Sequence, residues 1–283
     1  MIAITGATGQ LGRLVINSLL DKTSADNIVA LVRNTEQATD LKSLGIKLRQ
    51  ADYNQPETLT TALKGISKLL LISGNDVGNR VPQHQAVIDA AKAAGVELFA
   101  YTSILKADSN AMGLAAEHKE TEAAIKASGL PAVILRNGWY SENYTQSIPV
   151  VLQTGTVAGA AADARLHTAS RKDYAEAAAT VLTSTEDQTG KVYELAGDSG
   201  YTLAEYAAEI AKQSGKTINY QNMTEEAFTD LLVQVGLPEG FAALLADSEV
   251  QAQQGALAEA SGTLAQLIGR QTTPISQSIT EAL

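Results

Sequence analysis

Apolar positions along this chain fall into short dense runs separated by stretches with helical spacing. Met1–Ile4, Ile28–Val32, Ile46–Gln50, Lys68–Ser73, Glu97–Thr102 and Ala132–Leu135 read as strands, being short, apolar and bounded by turn residues. The run Lys68–Ser73 (KLLLIS) is apolar almost throughout, as expected of a central strand covered on both faces. Between these runs, Leu11, Leu14, Val15 and Leu19 recur at the helical period within Gln10–Lys22. Further helices are expected over Glu36–Leu44, closed by Gly45, then from Pro56 to Gly65, from Pro82 to Gly95 and from Gly113 to Ser128. Val87, Ala91 and Ala94 share one face of the Pro82 helix, while Lys119 with Glu122 or Glu120 reads as solvent-facing pairing on the Gly113 helix. Strict alternation of strand and helix predicts an α/β protein with a doubly wound parallel sheet.

After Tyr144 the alternation stops. Val150–Ala162 is small and loop-rich, and Ser170-Arg171-Lys172-Asp173 opens an alanine-rich helix through Leu182. A strand follows at Val192–Ala196, and Thr202 with Glu205 three residues on forms a capping box for a helix to Ser214. A short strand at Ile218–Gln221, a capped amphipathic helix over Thr224–Pro238, and helical segments at Phe241–Gln254 and Leu264–Ile268 complete a smaller mixed lobe. The expected division is 1–145 for the sheet domain and 146–283 for the lobe. It is not one clean cut, because part of 163–190 is expected to return to the main sheet.

Composition narrows the function classes. The net charge is −10, and from Asn222 to Leu283 only Arg270 is basic, so no clustered cationic face for a nucleic-acid partner is expected. There is no cysteine, which removes disulfides, thiolate metal sites and a cysteine nucleophile. His84, His118 and His167 lie far apart, so no metal is expected. No leader-like apolar segment and no membrane-length run is visible, which predicts a cytoplasmic protein without a membrane partner. The oligomeric state is left open.

The chemistry begins at Thr5–Gly12, T-G-x-x-G-x-x-G, set between the first strand and the first helix. Gly6 suits a tight turn, Gly9 a close backbone approach to phosphate, and Gly12 the packing of helix on strand. The helix N-terminus adds free N–H donors and a favourable dipole, so a dinucleotide site is expected here. At the end of the second strand a carboxylate would select NAD and an arginine NADP. The chain has Arg33, and no acidic residue until Glu36; this favours NADP(H) over the alternative of a plain surface arginine. Asp52 falls at the adenine edge, where it either bonds the base or caps its turn. Gly74–Asn79 lies at a strand's carboxyl end, the ligand-binding side of such sheets. His84 reads as a packed or solvated histidine more readily than a catalytic one. Arg136 to Tyr144 (RNGWYSENY) gathers the lone tryptophan, two tyrosines and two asparagines, suitable walls for a flat ring or aromatics that close the junction of two lobes.

At TGATGQLG, Arg33, KLLLISG, Tyr101–Ser103 and LRNGWYSENY the sequence resembles the NmrA-like branch of the atypical short-chain dehydrogenases, and the likeness continues through KVYELAGDSGYTLAEYAAEIAKQSGK and LIGRQTTP. The resemblance implies an NADPH-binding Rossmann domain, a smaller lobe, and quinone reduction in the cleft between them. It implies that Gly6, Ala7, Thr8, Gly9, Gln10 and Leu11 hold the pyrophosphate and Arg33 the 2′-phosphate. Ser73, Gly74 and Asn75 would border ribose and nicotinamide, and Asn137, Gly138, Trp139, Tyr140, Ser141 and Glu142 would close the nicotinamide end. Tyr140, Asn143 and Tyr144 would face the substrate.

One departure matters. Short-chain dehydrogenases usually reduce carbonyls with Tyr-x-x-x-Lys, and none of the nine tyrosines here has a lysine four residues on. Several relatives carry a lysine at the place of His118, which makes His118 the candidate proton donor. General acid catalysis typically contributes about 10²–10⁴-fold, and an electrophilic quinone can forgo it because its hydroquinone anion is far less basic than an alkoxide. The alternatives are a redox sensor that binds NADP(H) without turnover, or a reductase of another acceptor such as a triphenylmethane dye.

Overall fold

The structure is a computed structural model that describes residues 1–283. In chain order the elements are β1 (Ile2–Ile4), α1 (Gln10–Leu20), β2 (Ile28–Val32), α2 (Thr39–Ser43), β3 (Lys47–Gln50), α3 (Pro56–Ala62), β4 (Lys68–Leu71), α4 (Arg80–Ala94), β5 (Leu98–Ile104), α5 (Ala115–Ser128) and β6 (Ala132–Asn137). Then come α6 (Glu142–Thr145), α7 (Ile148–Thr154), β7 (Thr156–Gly159), α8 (Arg171–Thr183), β8 (Val192–Leu195), α9 (Leu203–Ser214), β9 (Asn219–Asn222), α10 (Glu225–Gln234), α11 (Glu239–Ala252), α12 (Thr263–Ile268) and α13 (Ile275–Ala282).

A seven-stranded sheet runs β3-β2-β1-β4-β5-β6-β8, and β7 pairs with β9 in a separate two-stranded sheet. The order reverses between β1 and β4, which is the switch point where ligands gather outside the carboxyl ends of such sheets. The strands are buried on both faces, so their runs are apolar rather than alternating. On one face Ala3, Val29, Leu31, Leu69, Leu71, Phe99, Tyr101 and Ile134 form a core with Leu59, Val87, Ile88 and Ile125 of α3, α4 and α5. On the other face α1 packs against α8. Lys68 Nζ reaches the carbonyl of Leu182 at the end of α8 (2.7 Å), where a cation complements the helix dipole.

The chain divides into two compact units, the first comprising 1–104, 117–137 and 171–193, the second 105–116, 138–170 and 194–283. In the second, Thr202 caps α9 and the capping box with Glu205 is formed. Three readings of the sequence are corrected. The helix expected over Glu36–Leu44 covers only Thr39–Ser43. Val150–Ala162 is not loop but contains most of α7 and all of β7: Pro149 sits in the first turn of the helix and Gly155 ends it at φ +72. The strand Thr-Val-Ala-Gly is too short and small to show a period. Glu122 does not face solvent; its carboxylate, 13% exposed, turns inward to Arg136.

Candidate functional site

Geometry at the β1 exit is set by missing side chains. Gly6 has φ +57, a left-handed conformation that costs other residues roughly 1–2 kcal/mol. Its carbonyl accepts the N–H of Gly9 at 2.9 Å. A Cβ on Gly12 would lie 2.3 Å from the Gly6 carbonyl oxygen and 2.8 Å from Ala7 Cα, so α1 can rest on the turn only because Gly12 has none. The helix begins at Gly9 with no side-chain cap and no acidic residue in its first turn. Its leading N–H donors therefore face the exposed strip Gly6, Thr8, Gly9 and Gln10 with their positive dipole end uncompensated. This cradle suits a pyrophosphate.

Arg33 stands exposed just beyond β2, on the strand next to β1. Burial pushes the Tyr53 phenol up to about 12, opposed by a hydrogen bond with Thr5 and the positive charge of Arg33. Asp52 Oδ1 accepts the N–H of Asn54 at 2.9 Å, so its carboxylate caps the turn after β3.

At the β4 exit the backbone is held by side chains. Thr5 Oγ1 accepts from the Ile72 N–H (3.0 Å), and Thr102 Oγ1 from the Ser73 N–H (2.9 Å). The Gly74 N–H donates to His84 Nε2 at 3.0 Å, and Arg80 Nε donates to the Gly74 carbonyl at 2.6 Å. Glu117 Oε1 accepts from the N–H groups of Gly78 and Arg80, each at 3.1 Å. Burial, aided by the charge of Arg80, holds the His84 imidazole down at about 4.

Beneath this loop, the Tyr101 hydroxyl and His118 Nδ1 share a hydrogen bond of 2.8 Å. His118 is buried, and that burial, with Arg80 and His84 adding to it, brings its imidazole down to about 3. At neutral pH His118 is therefore an uncharged ring with one nitrogen engaged. Ser103 hydrogen-bonds Glu122, which also takes both Nε (3.0 Å) and Nη2 (2.6 Å) of Arg136 in a two-pronged pair. Asn137 ends β6, 6% exposed, with its Oδ1 buried and without a hydrogen-bond partner. Such an orphan acceptor at a strand's carboxyl end fits an amide-bearing ligand.

The second unit holds the other expected residues. Tyr140 bridges to Ala169, with the Ser141 N–H on the Ala169 carbonyl at 2.9 Å. Ser141 is fully buried, and its hydroxyl is used on Thr168 Oγ1 (2.9 Å), which in turn meets the Tyr201 hydroxyl (3.1 Å). Tyr144 is half-buried with its ring tilted against Tyr206, Asn143 is exposed, and Trp139, Tyr140 and Glu142 are half-buried. Within this unit Glu249 of α11 accepts the Ala160 N–H, and burial pushes its carboxyl up to about 7.

Of the expected residues, Gly6–Leu11, Arg33, Asp52, Ser73–Asn75, His118 and Asn137 belong to the first unit, and Gly138–Tyr144 to the second. Sequence reasoning missed Arg80, Glu117, Thr121 and Glu122. A signal existed: Glu117, His118, Thr121 and Glu122 share one face of α5 at helical spacing, too polar a face to be turned inward without partners.

The NmrA-like family pattern is matched over residues 1–280. Quinone oxidoreductase 2 of Escherichia coli is 54% identical over 279 residues, covering 99% of this chain and 97% of that protein. The crystal structure of that NADPH-dependent quinone oxidoreductase complexed with NADPH superposes with a TM-score of 0.97 over 99% of both chains. The triphenylmethane reductase of Citrobacter sp. complexed with NADP(H) is 38% identical with a TM-score of 0.96, over 100% of both chains. No helix is long and apolar enough to cross a membrane.

Proposed function

The chain belongs to the NmrA-like family, and from that premise we propose that it is an NADPH-dependent quinone oxidoreductase. The observation that carries this is the β1 exit, a glycine turn on which the helix can rest only because Gly12 has no Cβ, with Arg33 exposed at the end of the neighbouring strand, in a chain 54% identical to an enzyme solved with NADPH. When bound, NADPH supplies a hydride to the acceptor ring. In this reading the segment Gly6 to Leu11 holds the pyrophosphate, through the N–H groups that the turn leaves free while that of Gly9 stays bonded to the Gly6 carbonyl, and Arg33 pairs with the 2′-phosphate as a planar, permanently charged donor. Asp52 serves the adenine side through the turn it caps, Ser73, Gly74 and Asn75 border the ribose and nicotinamide, and Asn137 offers Oδ1 to the carboxamide. Gly138 to Glu142 close that end, with Tyr140, Asn143 and Tyr144 on the acceptor side.

The chain brings no strong acid to the reaction. It lacks the Tyr-x-x-x-Lys pair, and His118 is neutral at working pH with Nδ1 committed to Tyr101. A neutral imidazole could release a proton only from Nε2, and only weakly, so we assign the proton of the hydroquinone to solvent. Rate then rests on holding two flat rings at reacting distance with water kept out.

The test is NADPH oxidation by the purified protein with benzoquinones and naphthoquinones. Turnover with quinones supports the reading, while tight NADPH binding with zero turnover would make the protein a sensor. His118→Gln separates the proton sources: an unchanged rate agrees with solvent, and a fall of about 10²-fold or more would make His118 the donor.

A further inference from the structure

We propose that Arg80 and His84 are positioning residues for the reduced cofactor, acting through the two peptide groups that flank Gly74. The inference rests on the placement of the nicotinamide ribose beside Ser73–Asn75 and says how that placement is fixed.

A glycine is where a loop is freest to rotate. Here the N–H on one side of the Gly74 Cα is held by His84 Nε2 at 3.0 Å, and the carbonyl on the other side by Arg80 Nε at 2.6 Å. With both neighbouring peptide planes fixed, both backbone torsions of Gly74 are fixed too. Because Nε2 accepts, His84 must carry its proton on Nδ1, which lies 3.0 Å from Thr121 Oγ1; that hydroxyl donates onward to the Glu117 carbonyl at 2.8 Å. The Glu117 carboxylate ties down the far end of the same loop at Gly78 and Arg80. The imidazole is wedged edge-on to Tyr101, with ring centres 5.5 Å apart. Burial keeps its lone pair available through the neutral range.

Sterics do not do this work. A Cβ on Gly74 would meet only ordinary contacts, Gln83 Oε1 at 3.5 Å and His84 Nε2 at 3.6 Å. Loss of the side-chain hold therefore loosens the loop rather than breaking the fold. The bulk of cofactor affinity resides elsewhere, at the β1 turn and Arg33, so the loss should fall on kcat more than on binding.

The experiment compares His84→Leu, which removes the acceptor, with His84→Gln, whose amide oxygen can reach the place of Nε2. Thr121→Val, which strips the second partner while keeping the shape, is the second line should the leucine variant not fold. Three readouts are taken: exchange of the Gly74 amide by NMR in the free protein, calorimetric NADPH affinity, and steady-state kinetics. For His84→Leu we expect Gly74 exchange about tenfold faster and kcat lower by about 5- to 50-fold, the loss of one buried hydrogen bond. NADPH affinity should stay within about threefold, and His84→Gln should recover most of kcat, since the hydrogen bond is kept. A Gly74 resonance that does not move when NADPH is added to the wild-type protein overturns the cofactor placement itself. A resonance that moves, with wild-type kcat in His84→Leu and Thr121→Val, overturns the positioning role alone. Equal losses in the leucine and glutamine variants would likewise assign His84 to packing and overturn it.

Discussion

Two neighbouring strand exits, those of β1 and β4, present backbone to the same edge of the sheet and are shaped by opposite means. The β1 turn is formed by what is missing: no Cβ at Gly12 to strike the Gly6 carbonyl, and none at Gly6 to resist φ +57. The β4 exit is formed by what is added, a histidine, an arginine and a glutamate that take hold of its peptide groups. A turn closed this way excludes a side chain at Gly12 by sterics, imposes a backbone cost at Gly6, and needs no charge. A turn closed by side chains tolerates a methyl group and depends on protonation. The first is suited to gripping a phosphate of fixed shape, the second to adjusting where a ring comes to rest.

The largest effect expected from breaking this contrast is Gly12→Ala. Pushing a methyl group to 2.3 Å from a carbonyl oxygen should cost about 1–3 kcal/mol or more in stability and abolish NADPH binding; thermal denaturation and calorimetry check both. Arg33→Asp should weaken NADPH binding by about 10- to 100-fold, the value of a charge-assisted bond, and leave NADH nearly unchanged. Equal losses for the two cofactors would remove the 2′-phosphate from Arg33. Gly6→Ala should cost about 1–2 kcal/mol of unfolding free energy from its backbone alone.

Acid should then separate the two exits without any mutation. The folded pKa of His84, about 4, lies below its ordinary 6.5, so its contribution is present above that ordinary value and lost as pH falls through about 4. The Gly74 amide should lose protection across that window while the Gly9 amide does not, as followed by exchange measured against pH. The smallest effect is Gly74→Ala, expected to change stability by no more than about 0.5 kcal/mol in the cofactor-free protein. A large loss there would mean that sterics shape both exits.

What the sequence revealed follows the same division. Glycine spacing is a local signal, because Gly6, Gly9 and Gly12 meet one another within a single turn; it was legible together with Arg33 one strand away. The doubly wound parallel sheet followed from alternation, while its strand order, with β8 added at the edge beside β6, is read from the structure. The hold on Gly74 was not legible, since its members come from α4 and α5 and meet only in three dimensions. His84 reads from the sequence as packed or solvated rather than catalytic, and nothing local to it points to a bond with the Gly74 N–H. Glu122 was read as a surface charge because spacing alone does not say which side of α5 faces the sheet; Arg136 on β6 decides it. Ser141 and Tyr144 stood in a conspicuous aromatic stretch, yet the Ser141 hydroxyl is spent inside its own unit on Thr168.

The central claim is that the β1 exit and Arg33 together select a 2′-phosphorylated dinucleotide. Calorimetric titration of the wild-type protein with NADPH and with NADH tests it most directly. Binding of NADPH at least about tenfold tighter than NADH is expected, the share of one charge-assisted contact. Equal affinity for the two, or no heat with either, would contradict it.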